Sequence, residues 1–343
     1  MFSSANRLLK SQVLPKVLFF KNIFGIIWII AGCGNSQASE SADQKNTTIN
    51  IGIQQDVGPL LLAKEKKLFE KAFQKDHVQV KWTEFQSGPP QIEAISSNHL
   101  DFAGVGNSPV ISAQAADIGF KEISNTRLGL KSDAILVPKG SSIKTLKDLK
   151  GKKIAVAKGS SGFNLLNLAL QKAGLKDSDV QIIQLQPDEA QSAFNAKKVD
   201  AWSIWEPFIS YETLKHNARI LTTEKQLNSF SPSFMLVRSQ FAEEHPDLTV
   251  KFLKVYEQAR LWEKQHFNEA VAIYAKAKNL DKKVVASALK NNPSTNLPIS
   301  SKIIHAQQET ADFQYKKHII QKKIDTSKVV DNQYINQALS NKK

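Results

Sequence analysis

A chain of 343 residues with 46 Lys and Arg against 32 Asp and Glu carries a formal charge of +14, and 41% of its residues are apolar. That length and apolar content exclude global disorder and favour two packed lobes over one small domain. Only five of the basic residues are Arg, which argues against base-reading nucleic-acid recognition, where bidentate Arg contacts dominate.

The first 32 residues contain Arg7, Lys10, Lys16 and Lys21 and no acid, so their removal leaves a charge of about +10. The apolar run from Ile23 to Ala31 is shorter than the roughly 20 residues a bilayer span needs, and it predicts the hydrophobic stretch of a signal peptide. It ends in Ile30-Ala31-Gly32-Cys33, which resembles the bacterial lipobox, where small residues admit a peptidase and the Cys thiol receives a diacylglycerol. Cys33 is the sole cysteine, which excludes an internal disulfide and a Cys-based metal cluster. The following residues are polar, as a flexible tether requires. The expected division is a signal peptide over 1–32, then the lipidated Cys33 and tether over 33–48.

From Ile49 short apolar runs alternate with longer helical stretches, the pattern of an α/β architecture. Strands are predicted at Ile49–Ile53, Val78–Glu84, Phe102–Val105, Ile135–Val137, Lys153–Val156, Val180–Leu185, Ala201–Trp205 and Phe234–Val237. Helix starts are marked at Gly88-Pro89-Pro90, Ser108-Pro109 and Glu206-Pro207, where the missing proline N–H is dispensable, and at Ser160-Ser161-Gly162. The last of these opens a helix that ends at Gly174, a natural C-cap. After Ser239 the pattern is helical, with long stretches at Leu248–Lys278, Lys282–Lys290 and Ser300–Ile320.

Asp148-Leu149-Lys150-Gly151-Lys152-Lys153-Ile154-Ala155-Val156 resembles the entrance to the second lobe of type II periplasmic binding proteins. That fold has two α/β lobes with a ligand cleft between them, at the carboxyl ends of parallel strands. The implied division is a first lobe from 49–132, a crossover at 133–138, a second lobe at 139–231, and a return crossover with the rest of the first lobe and the helical C-terminal region at 232–343.

Further motifs carry a resemblance to one family. They are Val80-Lys81-Trp82-Thr83-Glu84-Phe85-Gln86-Ser87-Gly88-Pro89-Pro90, Gly104-Val105-Gly106-Asn107-Ser108-Pro109, Ala157-Lys158-Gly159-Ser160-Ser161, Leu185-Gln186-Pro187-Asp188-Glu189-Ala190 and Val199-Asp200-Ala201-Trp202-Ser203-Ile204-Trp205-Glu206-Pro207-Phe208. In this order the chain resembles the aliphatic sulfonate-binding proteins of ABC importers, relatives of the taurine and nitrate binders. The resemblance implies an extracytoplasmic, lipid-anchored, monomeric binding protein that delivers a small anionic solute to a permease and ATPase. It implies no cofactor, no metal and no nucleic-acid partner. Taurine, nitrate or another small anion stays open as the ligand.

The residues suit such a ligand on physical grounds. A sulfonate is a permanent monoanion with three oxygens, and a helix N-terminus offers it orphan amide donors and a partial positive charge. Gly88, Pro89, Asn107, Ser108, Gly159, Ser160, Ser161 and Glu206 stand at such helix starts, with ordinary N-capping as the competing role of Asn107, Ser108, Ser160 and Ser161. In the strand Ala201–Trp205 alternation places Trp205 at the carboxyl end, against an alkyl tail, and Trp202 in the core. Gln54 and Gln55, closing the first strand, are the matching candidates in the first lobe.

Enzyme classes are weaker readings. No Gly-x-Ser-x-Gly elbow, phosphate loop or His-Glu-x-x-His occurs, and no two of the seven His lie within four residues of each other. Thiamine-pyrimidine synthases share the fold, but their Cys-rich segment has no counterpart here. A regulator's effector domain would need an N-terminal helix-turn-helix where this chain has a signal-peptide pattern.

Overall fold

The sequence's apolar runs pair into two five-stranded sheets. The computed structural model describes residues 47–129 and 131–340. The expected signal peptide, Cys33 and the tether as far as residue 46 lie outside the described residues. The strands are β1 (Thr48–Gln54), β2 (Gln79–Phe85), β3 (Phe102–Gly106), β4 (Phe120–Arg127), β5 (Asp133–Val137), β6 (Lys153–Val156), β7 (Gln181–Gln184), β8 (Ala201–Trp205), β9 (Arg219–Thr223) and β10 (Ser233–Arg238). The first sheet has the order β2-β1-β3-β10-β4 and the second β7-β6-β8-β5-β9.

Each sheet contains one antiparallel strand, and in each it is the strand that has just crossed from the other sheet. β5 follows β4 and runs antiparallel to β8 and β9, while β10 follows β9 and runs antiparallel to β3 and β4. The amino end of a crossing strand therefore lies beside the carboxyl ends of its neighbours. Ser233 pairs with both Gly106 and Arg127, and Asp133 pairs with Trp205. This arrangement gathers both sheets' functional ends at one cleft.

The chain changes sheets after Arg127, the end of β4, and again after Thr223, the end of β9. Asp133–Val137, expected within the crossover, is a strand of the second sheet with all five residues buried. Two strands escape the sequence patterning. β4 carries the buried polar side chains Glu122, Ser124, Asn125 and Thr126, which contradict an apolar run. β9 is an edge strand whose Ile220 is exposed. The expected helical stretch at 248–278 is two helices, Pro246–Gln265 and Phe267–Ala277, broken at His266.

Aromatic stacking consolidates the first lobe: Phe102 lies 3.8 Å from Phe252 and Phe69 lies 4.6 Å from the same ring, centroid to centroid. In the second lobe Trp202 has no exposed surface and packs between Phe194 and Phe208. Burying an aromatic of this size stabilises the fold by roughly 2–3 kcal/mol.

Candidate functional site

Three helices begin at the cleft for local reasons. Gly88–Ser96 starts on two prolines, Asn107–Ala115 follows the carboxyl end of β3, and Ser161–Ala173 is capped by Ser160, whose Oγ accepts from the Phe163 N–H at 3.2 Å. Their first turns converge. A Cβ placed on Gly106 would stand 3.5 Å from Ser161 Cβ, one on Gly159 would stand 3.5 Å from Pro89 Cγ, and one on Gly88 would stand 2.7 Å from Pro109 Cγ. The last approach leaves no room for a side chain at 88. Each terminus presents orphan N–H groups and about half a positive charge.

Between the sheets lies a cavity of about 1000 Å³, counting space open to solvent. Its wall includes Gln54, Gly88, Gly104–Gly106 and Arg127 from the first lobe, and Asp133, Ser160, Ser161, Trp205 and Glu206 from the second. Val57, Leu60, Met235 and Tyr256 add apolar surface.

Of the residues expected at the site, Gln54, Gly88, Ser160, Ser161, Trp205 and Glu206 line this cavity. Several have other duties. Gln54 Nε2 donates to the Gly104 carbonyl at 2.8 Å. Ser160 Oγ donates to the Ala157 carbonyl at 2.7 Å as well as capping its helix. Ser161 Oγ donates to Asp133 Oδ1 at 2.9 Å. Glu206 accepts from the Ser210 N–H at 3.0 Å, the Ser210 hydroxyl at 2.9 Å and Asn291 Nδ2 at 2.8 Å. Burial pushes its carboxyl above the ordinary range, against the pull of those hydrogen bonds and of Arg127. Its carboxylate anchors the helix Phe208–Lys215, to which Ser210 belongs.

The other expected residues lie off the wall. Gln55 Nε2 donates instead to Asp188 Oδ2 at 3.0 Å. Asn107 is fully buried, with Nδ2 directed at the Phe230 carbonyl at 3.4 Å. Ser108 is buried, and its Oγ accepts from Gln314 Nε2 at 2.7 Å. Pro89 and Gly159 pack against each other, Gly159 at φ +74°, where a side chain is strained. Segment closeness was legible in these motifs; which side chain faces the cavity was not.

Sequence reasoning missed Arg127 and Asp133. Arg127 is the only Lys or Arg among the described residues lining the cavity. Its guanidinium donates to the Val57 carbonyl at 2.7 Å, reaches Asp56 at 3.4 Å and donates to the Asn292 carbonyl. Gly58 makes room for it, since a Cβ there would stand 2.8 Å from Nη2. A lone Arg closing an eight-residue segment in an Arg-poor chain was the available signal. Asp133 is buried beside Glu224, and burial raises both carboxyls above their ordinary range. Among the described residues no group of His, Cys, Asp and Glu is placed to hold a metal ion.

The site can thus hold an anion by the amide donors of its helix N-termini while apolar groups cover its tail. The NMT1/THI5-like family matches residues 54–270. A Bacillus subtilis (strain 168) protein named for aliphatic sulfonate binding is 55% identical over 317 residues, 92% of this chain and 95% of that protein. An Escherichia coli (strain K12) protein named in the same way is 35% identical over 286 residues, 83% of this chain and 89% of that protein. Among solved structures, the alkanesulfonate-binding protein SsuA from Xanthomonas axonopodis pv. citri, bound to MOPS, is 33% identical and covers 83% of this chain and 98% of its own, with a TM-score of 0.78. With three converging helix termini in a two-lobed periplasmic-binding-protein fold and these relatives along nearly its whole length, the chain belongs to the NMT1/THI5-like family.

Proposed function

We propose that this chain is the extracytoplasmic solute-binding protein of an ABC importer and that its ligand is an aliphatic sulfonate, bound without chemistry and passed to a permease. The observation that carries this reading is the convergence of the first turns at Gly88, Asn107 and Ser161 on one cavity that Trp205 also lines. Three tetrahedral oxygens need several donors from different directions, and helix N-termini supply them with favourable charge. The relatives' names point the same way. A division into lobes 49–132 with 232–343 and 133–231, with Asp133–Val137 counted in the second lobe, and monomeric action belong to the same proposal.

Calorimetric titration with pentanesulfonate tests the binding, and mass spectrometry of the recovered ligand tests the absence of chemistry. Saturable binding of unchanged ligand supports the reading; no binding, or steady conversion, sinks it. A second ligand class, aminosulfonates such as taurine, is favoured by the carboxyls of Asp56 and Asp133 on the same wall, and taurine belongs in the same titration. Anchoring at Cys33 is proposed from the lipobox resemblance. Growing cells should incorporate labelled palmitate into the wild type and not into Cys33→Ala, because acyl chains and not the polar tether hold such a protein to a membrane.

A further inference from the structure

Two hydrogen-bonded clasps cross the cleft outside the cavity wall. At the first, Asp188 Oδ2 accepts from Gln55 Nε2 at 3.0 Å and from Gln86 Nε2 at 2.5 Å. Gln55 and Gln86 follow β1 and β2 of the first sheet, whereas Asp188 opens the helix Pro187–Asn195 that follows β7 of the second. Beside them Ser87 Oγ donates to Gln186 Oε1 at 2.9 Å. At the second clasp, Nε2 of Gln314, in the helix Ser301–Lys316, reaches Ser108 Oγ at 2.7 Å and Asn164 Oδ1 at 3.2 Å. Ser108 sits in the first turn of Asn107–Ala115 and Asn164 in that of Ser161–Ala173. One amide therefore ties together helices from the two lobes whose N-termini face the cavity. Gln314 has no exposed surface.

We propose that Asp188 and Gln314 are positioning residues that set how long a ligand stays bound, by holding the lobes together without touching it. Neither lines the cavity. The bonds to Asp188 and Gln186 and the bond from Gln314 to Asn164 join segments of different lobes, so separating the lobes breaks them, whereas the bond from Gln314 to Ser108 lies within the first lobe and orients the amide toward Asn164. At Asp188 an acceptor-only carboxylate meets two amide donors, a match realised only when the lobes are together. At Gln314 the partners are buried and cannot exchange for water while the cleft is shut. Contacts made in only one of two conformations shift the population toward it, and apparent affinity scales with the binding-competent fraction. Gln55, expected as a ligand contact, acts in this account by closing the cleft, and Ser108, likewise expected, by holding the Gln314 amide.

This rests on the binding reading above, and the test separates the two. Asp188→Ala and Gln314→Met are compared with wild type by stopped-flow mixing with pentanesulfonate and by small-angle scattering of the full chain. Each variant should dissociate pentanesulfonate about 3- to 10-fold faster, the worth of one or two net hydrogen bonds, with the association rate little changed. The radius of gyration of the variants, measured with and without ligand, should exceed that of wild type. Because Asp188 is exposed, its substitution should leave the fold and melting temperature nearly as they were. If wild type fails to bind pentanesulfonate, the sulfonate reading fails, and scattering of ligand-free protein still decides the clasps. Unchanged dissociation rates in a binding protein, or unchanged dimensions in both variants, overturn the clasp proposal.

Discussion

The hydroxyl of Ser161 donates to Asp133 Oδ1 at 2.9 Å, so the wall where an anion is expected already carries a buried carboxyl. Burial raises the Asp133 carboxyl, and burial together with the charge of Asp133 raises Glu224 further. At low pH the pair keeps its protons; as pH climbs past the ordinary carboxylate range, negative charge develops beside the ligand. A sulfonate stays ionised throughout, and a site of neutral donors alone would give a flat profile. Affinity for pentanesulfonate should instead fall as pH rises from 5 to 8, and Asp133→Asn should flatten that dependence. Calorimetry at four pH values measures it.

Ser160 and Ser161 are adjacent but should fail differently. Ser160→Ala removes the cap on the Phe163 N–H, which costs about 1 kcal/mol of stability and should lower the melting temperature by roughly 2–4 °C. Ser161→Ala leaves the helix capped and removes a hydroxyl from the wall. The proton of that hydroxyl goes to Asp133 and holds its carboxyl down, so Ser161→Ala should raise that carboxyl further and move the fall of affinity to higher pH, a change that Ser160→Ala should not make. Thermal melts and titrations on the two purified variants separate the cases.

Trp205 closes β8 at the cavity, whereas Trp202 on the opposite face is fully buried. Each methylene removed from apolar contact costs about 0.8 kcal/mol, or roughly fourfold in affinity. Trp205→Ala should therefore weaken pentanesulfonate by about 10-fold or more and methanesulfonate far less. Equal losses for the two ligands would remove the tryptophan from the tail site.

Glu122 lies inside β4 with 1% of its surface exposed, and burial pushes its carboxyl up to about 8 against the hydrogen bond from Gln307 Nε2. The folded chain keeps this proton where the unfolded chain loses it, so stability falls as pH rises from the ordinary carboxylate value toward 8. Glu122→Gln keeps the acceptor for Gln307 and removes the titration. Its stability relative to wild type should grow between pH 5 and 8, by on the order of a few kcal/mol. Urea unfolding at the two pH values gives the difference directly.

Local chemistry was enough to read much of this chain. Lys153–Val156 and Ala201–Trp205 announce themselves as strands by short apolar runs, and both ends match the structure. The starts at Gly88 and Ser161 follow from proline and serine acting within one turn of chain, and Trp202 and Trp205 separate onto opposite faces by strand alternation alone. Only the tertiary structure decided which polar atoms meet. β4 is unreadable as a strand because its buried Ser124 and Glu122 find partners in Asn296 and Gln307, more than 170 residues away. Separations of 70, 133 and 206 residues likewise hide Arg127 on Val57, Gln55 on Asp188 and Ser108 on Gln314. Secondary structure is set by neighbours in the chain, whereas a polar side chain's partner is set by whichever segment the packed sheets bring within 3 Å of it, and no spacing in the sequence records that.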